Sequence, residues 1–215
     1  MNGVGGSEGY LTLLKPAQDE YIVQKSRFLC DAAPCETEEE ALAFLQDKRT
    51  RYRDATHHCY AYVIGENAGI IRYSDDGEPG GTAGLPMMEV IRARQVVNCC
   101  VVITRYFGGI LLGAGGLVRA YSRSCALALD KAGVAKMCLS QRMMVSVPYP
   151  LWDKVSYLLG LLPVRAEETA FGQNVDLVLL MKEKDTDTVL ARLTQETSAR
   201  AEAVLMDQCF APWKE

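Results

Sequence analysis

The stretch that most constrains the fold of this 215-residue chain lies just before its middle. Residues 98–107 form a nearly continuous apolar, β-branched run, the pattern of a central strand buried on both faces. Gly108 and Gly109 follow at once, then Ile110-Leu111-Leu112, then Gly113-Ala114-Gly115-Gly116. A long helical pattern continues from there through Lys131, with Gly133 just past its end. A strand of this kind needs cover on both sides, so the expected class is α+β.

Around that core the pattern resolves into alternating elements. Tyr10–Leu14 and Tyr21–Cys30 read as strands, the second carrying Lys25-Ser26-Arg27. Thr37 begins a helix, because Thr37 and Glu40 fit a capping box and Ala41, Leu42, Phe44 and Leu45 supply a buried face. Its basic end, Lys48, Arg49, Arg51 and Arg53, complements the helix dipole. Strands His57–Ile64 and Ile70–Ser74 flank a turn at Gly65-Glu66-Asn67. Residues 75–81 crowd turn-forming types into a loop, and a helix is expected from Pro86 to Gln95.

After Gly133 the pattern restarts. Strands at 134–148, 164–170, 174–182 and 201–210 alternate with helices at 150–161 and 186–197. That order, βαββαβ, is the order of a ferredoxin-like sandwich. The expectation is two α+β domains, residues 1–139 and 140–215.

Composition excludes several classes. With 49% hydrophobic and 23% charged residues the chain is neither disordered nor a low-complexity polymer. The start lacks a secretory signal and the longest apolar stretch, Tyr106 to Val118, is short and glycine-broken, so a soluble, cytoplasmic protein is expected. Eight scattered cysteines with no C-x-x-C pair then read as reduced, mostly buried thiols. The net charge of −4 makes the chain no polycation, yet residues 48–123 hold ten basic and six acidic side chains. This local excess coincides with the glycine-rich segments, where a surface for anions belongs.

The glycine segment follows a strand and opens a helix. Its backbone can turn amides toward an anion at Gly109, Gly113 and Gly115, with Arg105, Arg119 and Arg123 adding charge-assisted bonds. It is neither G-x-G-x-x-G nor a P-loop, and tight strand–helix packing accounts equally well for the glycines. Asp75, Asp76 and Glu78, with His57 and His58, offer either a metal or acid–base cluster or a turn whose Asp side chains bond their own backbone and pair with Arg72 or Arg105. Neighbouring strand residues point to opposite faces, which separates His57 from His58, and His58 from Cys59 as a nucleophile–base pair. No spacing matches an established ligand set, so no metal and no cofactor is expected. Tyr60, Tyr62, Tyr73, Tyr106, Phe107 and Tyr121 interleave with the basic residues, as on a sheet that stacks bases.

Three segments also carry a resemblance: Ala55–Tyr62, Ser74–Gly84, and Thr104–Gly109 with Leu112–Tyr121. Together they resemble the Impact family, in its bacterial YigZ-type branch. The resemblance implies a first domain akin to the second domain of a small-subunit ribosomal protein, a fold of nucleic-acid and nucleotide binders. It implies a C-terminal domain similar to the last domain of elongation factor G, and a link to control of translation. The family motifs map onto His57, His58, Asp75, Asp76, Gly77, Glu78, Arg105, Gly108, Gly109, Gly113, Gly115, Gly116 and Arg119. The N-terminal module of eukaryotic relatives has no room here, so their starvation-signalling partner is not carried over.

The first functional expectation is therefore a module that binds RNA or the ribosome through a basic face around Arg72, Arg105, Arg119 and Arg123. The alternative is an enzyme on a small phosphorylated or nucleotide substrate in the same cleft, with Asp75, Asp76 or His57 doing the chemistry. A third reading has the ferredoxin-like domain docking a partner protein.

Overall fold

The computed structural model describes residues 9–213. The chain divides into two compact units, Tyr10–Lys136 and, with Gly9, Met137–Trp213. Among the described residues no helix is long and apolar enough to cross a membrane.

The first unit runs β1 (Tyr10–Leu13), β2 (Ala17–Val23), β3 (Ser26–Pro34), α1 (Glu38–Arg51), β4 (His57–Ile64), β5 (Ile70–Ser74), α2 (Gly84–Ala93), β6 (Cys99–Tyr106) and α3 (Gly113–Ala132). Five strands make one sheet in the order β2-β3-β6-β4-β5, each neighbouring pair antiparallel. β6 takes the centre, as its run of branched side chains demands, and all but Tyr106 of its residues are buried. Cys59, Ala61, Val63, Val101 and Ile103 face α2 and α3, packing with Met87, Ile91, Tyr121 and Leu129. Tyr62, Ile64, Cys100 and Val102 face α1 and meet Ala41 and Leu45. Every strand thus has a parity, and that parity decides which side chains can share a site.

Local chemistry accounts for the helix ends. Thr37 Oγ1 accepts the Glu40 amide at 3.2 Å, while Glu40 Oε2 accepts the Glu36 amide at 2.7 Å. α3 closes on Gly133 at φ 72°, whose amide donates to Leu129 O at 3.0 Å.

In the second unit β7 (Val134–Val147), which begins in the first, is followed by α4 (Trp152–Leu159), β8 (Val164–Phe171), β9 (Val175–Lys182), α5 (Thr186–Thr197) and β10 (Glu202–Trp213). The strand order β10-β7-β9-β8 is that of the split βαβ sandwich its element order predicts. Met143, Val145, Leu177, Leu179 and Met181 form one face of its core, against Val155, Leu158, Val189 and Leu193.

Three expectations are corrected. The strand read as Tyr21–Cys30 is two strands, because Gln24 and Lys25 turn the chain at φ 46° and 65° and β2 pairs back on β3. Leu42 is 47% exposed, so α1 buries a narrower face. α2 begins at Gly84 rather than Pro86, capped by a carboxylate from nine residues upstream.

Candidate functional site

The family-typical residues gather where β4 and β6 end against the loops that enter α2 and α3. Phe28, Arg105 and His57 are direct cross-strand neighbours on β3, β6 and β4, so all three point to the α2/α3 side. Arg105 is 5% exposed. Its Nη1 donates to Glu78 Oε1 at 2.7 Å and its Nη2 to Ser26 Oγ at 3.4 Å, and its guanidinium lies 5.4 Å and 5.6 Å from the Phe28 and Phe107 rings. Tyr121, fully buried on α3, donates its hydroxyl to the same Glu78 oxygen at 2.7 Å. Glu78 thereby ties the acidic loop to the central strand and to α3 at one point.

His57 completes the group. Its Nδ1 lies 2.8 Å from Asp76 O, which fixes Nδ1 as the donor, and its Nε2 faces Glu78 Oε2 at 3.9 Å. Cys59 Sγ sits 3.0 Å from Asp75 O and 3.3 Å from Tyr121 Oη. Burial first, and then Glu78 and the two aspartates, pushes that thiol up to about 12, against the opposing bond to Tyr121. Burial and the neighbouring Cys59 and Glu78 push the Tyr121 hydroxyl up as well. Both stay protonated at neutral pH, and neither is an activated nucleophile.

The carboxylates of the loop are turned inward. Asp75 accepts the amides of Gly81, Ala83 and Gly84 at 2.8–3.0 Å and so caps α2. Asp76 accepts the His58 amide at 2.7 Å and Arg49 Nη2 at 3.0 Å. Gly84 is required because a side chain there would meet the Ser74 backbone at 2.8 Å. Of the two readings of the acidic loop, the turn that bonds its own backbone describes it. Among the described residues no group of three His, Cys, Asp or Glu side chains could hold a metal ion.

Outside this buried network lies an open glycine surface. Gly81, Gly109 and Gly113 have φ of 76°, 81° and 69°, and a Cβ on any of them, or on Gly80, would meet nothing within 4 Å. The amides of residues 109–113 form no hydrogen bond among the described residues. Gly115, Arg119 and Arg123 form an i, i+4 row along the exposed side of α3. Arg119, Arg123 and Lys25, at the β2–β3 turn, are exposed and make no ion pair or hydrogen bond among the described residues, although the charge of Arg123 acts on the Asp130 carboxyl.

The expected basic face is therefore rearranged. His57, Asp75, Asp76, Gly109, Gly113, Gly115 and Arg119 belong to this end of the unit, and Arg123 lies at the middle of α3. Arg105 is there too, but inside, consumed by Glu78, and not on offer to a ligand. Arg72 pairs with Tyr62 on β4, which puts it on the α1 side, 3.9 Å from Glu38. His58 also faces that side, its Nε2 3.1 Å from Tyr52 O. Tyr62 is 3% exposed and bonded to Glu38, so it is closed to stacking bases although its ring stacks on Tyr60. Sequence reasoning set the aspartates of this loop against Arg72 or Arg105, whereas Glu78 is the carboxylate that Arg105 meets. The same reasoning passed over Ser26 as a second partner and Tyr121 as the other donor to Glu78. A tyrosine in the buried stripe of α3 was the available signal, since a buried hydroxyl needs a partner.

Comparison with known proteins bears on this chain in both halves. The Impact N-terminal domain family matches residues 24–129, and a domain of unknown function (DUF1949) matches residues 145–200. The chain is 39% identical over 193 residues to the IMPACT family member YvyE of Bacillus subtilis (strain 168), covering 90% of this chain and 89% of that protein. It is 44% identical over 158 residues to an IMPACT family member of Thermus thermophilus, covering 74% and 85%. The IMPACT family member YigZ of Escherichia coli (strain K12) is 42% identical over 116 residues, 53% of this chain and 57% of that protein. A solved crystal structure of a hypothetical protein superposes with a TM-score of 0.60 at 29% identity, covering 94% of this chain and 98% of that one. With its motifs assembled around one buried carboxylate and its likeness running through both units, this chain belongs to the IMPACT family, in the two-domain form of the bacterial members.

Proposed function

We propose that the chain is an RNA-binding module whose first unit grips phosphates at the open glycine surface beside Lys25, Arg119 and Arg123. One observation carries this reading: the three carboxylates of the neighbouring loop are all spent on internal bonds, while Lys25 and Arg119 beside the glycines make no ion pair or hydrogen bond among the described residues. A surface built from acidic and basic segments thus presents exposed cations and unbonded N–H groups beside the glycines. Gly80 supports the same reading. Neither its φ nor its surroundings require a glycine, so what its lack of a side chain provides is close approach from outside. The family resemblance directs the choice of RNA toward that of the translation machinery, with the ribosome first.

The test is fluorescence anisotropy of a short single-stranded RNA at several salt concentrations. Wild type is expected to weaken steeply with salt, and Arg119→Ala/Arg123→Ala to flatten the log–log slope by about 1.4, at about 0.7 per single-strand phosphate contact. Salt-insensitive binding, or an unchanged slope in the variant, rejects the reading.

A further inference from the structure

The twelve residues from Phe107 to Val118 include no polar side chain, in a chain with 23% charged residues. They do not all pack. Leu112 and Leu117 reach the core of the first unit, but Phe107, Ile110 and Leu111 are 47%, 42% and 85% exposed. Leu111 stands at the tip of a loop whose two ends, Gly109 and Gly113, hold left-handed φ values with open space around them. The loop is held at its base, where Gly108 N donates to Ser26 Oγ at 3.2 Å and a methyl group on Gly108 would overlap the Lys25 carbonyl carbon. A segment with a fixed base, outward apolar side chains and unbonded amides is made for something outside the chain.

We infer that residues 107–113 are a wedge that seats against unpaired bases of the bound RNA, an inference that rests on the phosphate-binding surface proposed above. Apolar side chains from a rigid backbone enter gaps between bases and hold them unstacked. Every base offers a face to such contact, whatever the sequence. An apolar protein groove would accept Leu111 but leave the unbonded amides of residues 109–113 without acceptors. Single-stranded nucleic acid alternates apolar base faces with anionic oxygens, and this loop alternates their complements, with Lys25 at its base and Arg119 beyond its far end. In a paired A-form helix the base faces are stacked away, so the wedge favours loops and bulges over duplex.

The test uses two RNAs with the full chain: a hairpin with 2-aminopurine in its loop and a fully paired duplex. Binding is read by anisotropy and unstacking by 2-aminopurine emission. Wild type is expected to raise the emission on binding. Ile110→Ser/Leu111→Ser, folded by circular dichroism, is expected to bind the hairpin about ten-fold more weakly, to leave emission flat, and to bind duplex as wild type does. Leu111→Phe is expected to keep the emission change. An emission change that survives in the serine variant, or an equal loss on both RNAs, overturns the wedge. If wild type binds neither RNA in a salt-dependent way, the phosphate-binding reading itself fails, and the wedge with it.

Discussion

Arg105 shows how one residue can carry a family motif without touching a ligand. Its charge is taken out of water among Phe28, Phe107 and Tyr121, and Glu78 offsets that burial from a loop 27 residues away. Removing one member of such a pair leaves the other charged and enclosed. Arg105→Ala is expected to lose about 3–5 kcal/mol in urea unfolding, whereas an exposed Arg119→Ala should stay within about 0.5 kcal/mol. The thiols give a second expectation. Burial raises Cys30, Cys59 and Cys99 to about 12 and Cys35 to about 11, so none forms thiolate near pH 8. Cys209 is partly exposed, and iodoacetamide at pH 8 should label it first; labelling of the buried thiols should require denaturant. At this scale the sequence singled out His57, Asp75 and Arg105, and the structure shows that all three are held by internal bonds. A strand's alternation sorts His57 from His58, but nothing local shows that Arg105 meets Glu78 rather than an aspartate of the same loop.

At the scale of elements, the loop between β5 and α2 and the loop between β6 and α3 are shaped by opposite means. The first is shaped by side chains: Asp75 caps α2, and Glu78 anchors the centre. The second is shaped by their absence, and its glycines differ in what they do. Gly108→Ala would drive a methyl group to 2.1 Å from the Lys25 carbonyl carbon, so a large drop in melting temperature is expected. Gly80→Ala meets nothing and should melt as wild type while weakening RNA binding. Farther along, Arg94 at the end of α2 bonds Asp130 near the end of α3 and holds its carboxyl below the usual range, with burial opposing. A lowered native pKa means stability present above the unfolded value, about 3.9, and lost as the pH falls through the native one. Asp130 is half exposed, so Asp130→Asn should cost less than about 1 kcal/mol at pH 7, with the difference shrinking as the pH falls below the unfolded value. Most elements were legible because their periodicities are strong. The β2–β3 turn was not, since Gln24 and Lys25 adopt left-handed angles without glycine or asparagine to announce it.

For the molecule as a whole, the two units hold separate cores, one around Ile103 and Tyr121 and one around Met143 and Leu179. Scanning calorimetry should therefore give a measured enthalpy above the van't Hoff value, because two cooperative blocks contribute. Charge divides along the same line. Residues 10–136 carry fifteen basic and fifteen acidic side chains, and residues 137–213 carry seven and ten. The net −4 of the chain thus conceals a first unit that is neutral overall, which whole-chain arithmetic could not disclose. Within that unit, β6 and the loop behind it set two clocks side by side. The amide protons of Val101 to Thr104, paired on both sides at the centre of the sheet, should be among the last in the protein to exchange with deuterium. Those of residues 109–113, which form no hydrogen bond among the described residues, should exchange at the rate of an unstructured peptide. Both extremes of the isotope record lie within thirteen consecutive residues, so a bound anion would be seen there as a slowing of the fast end alone.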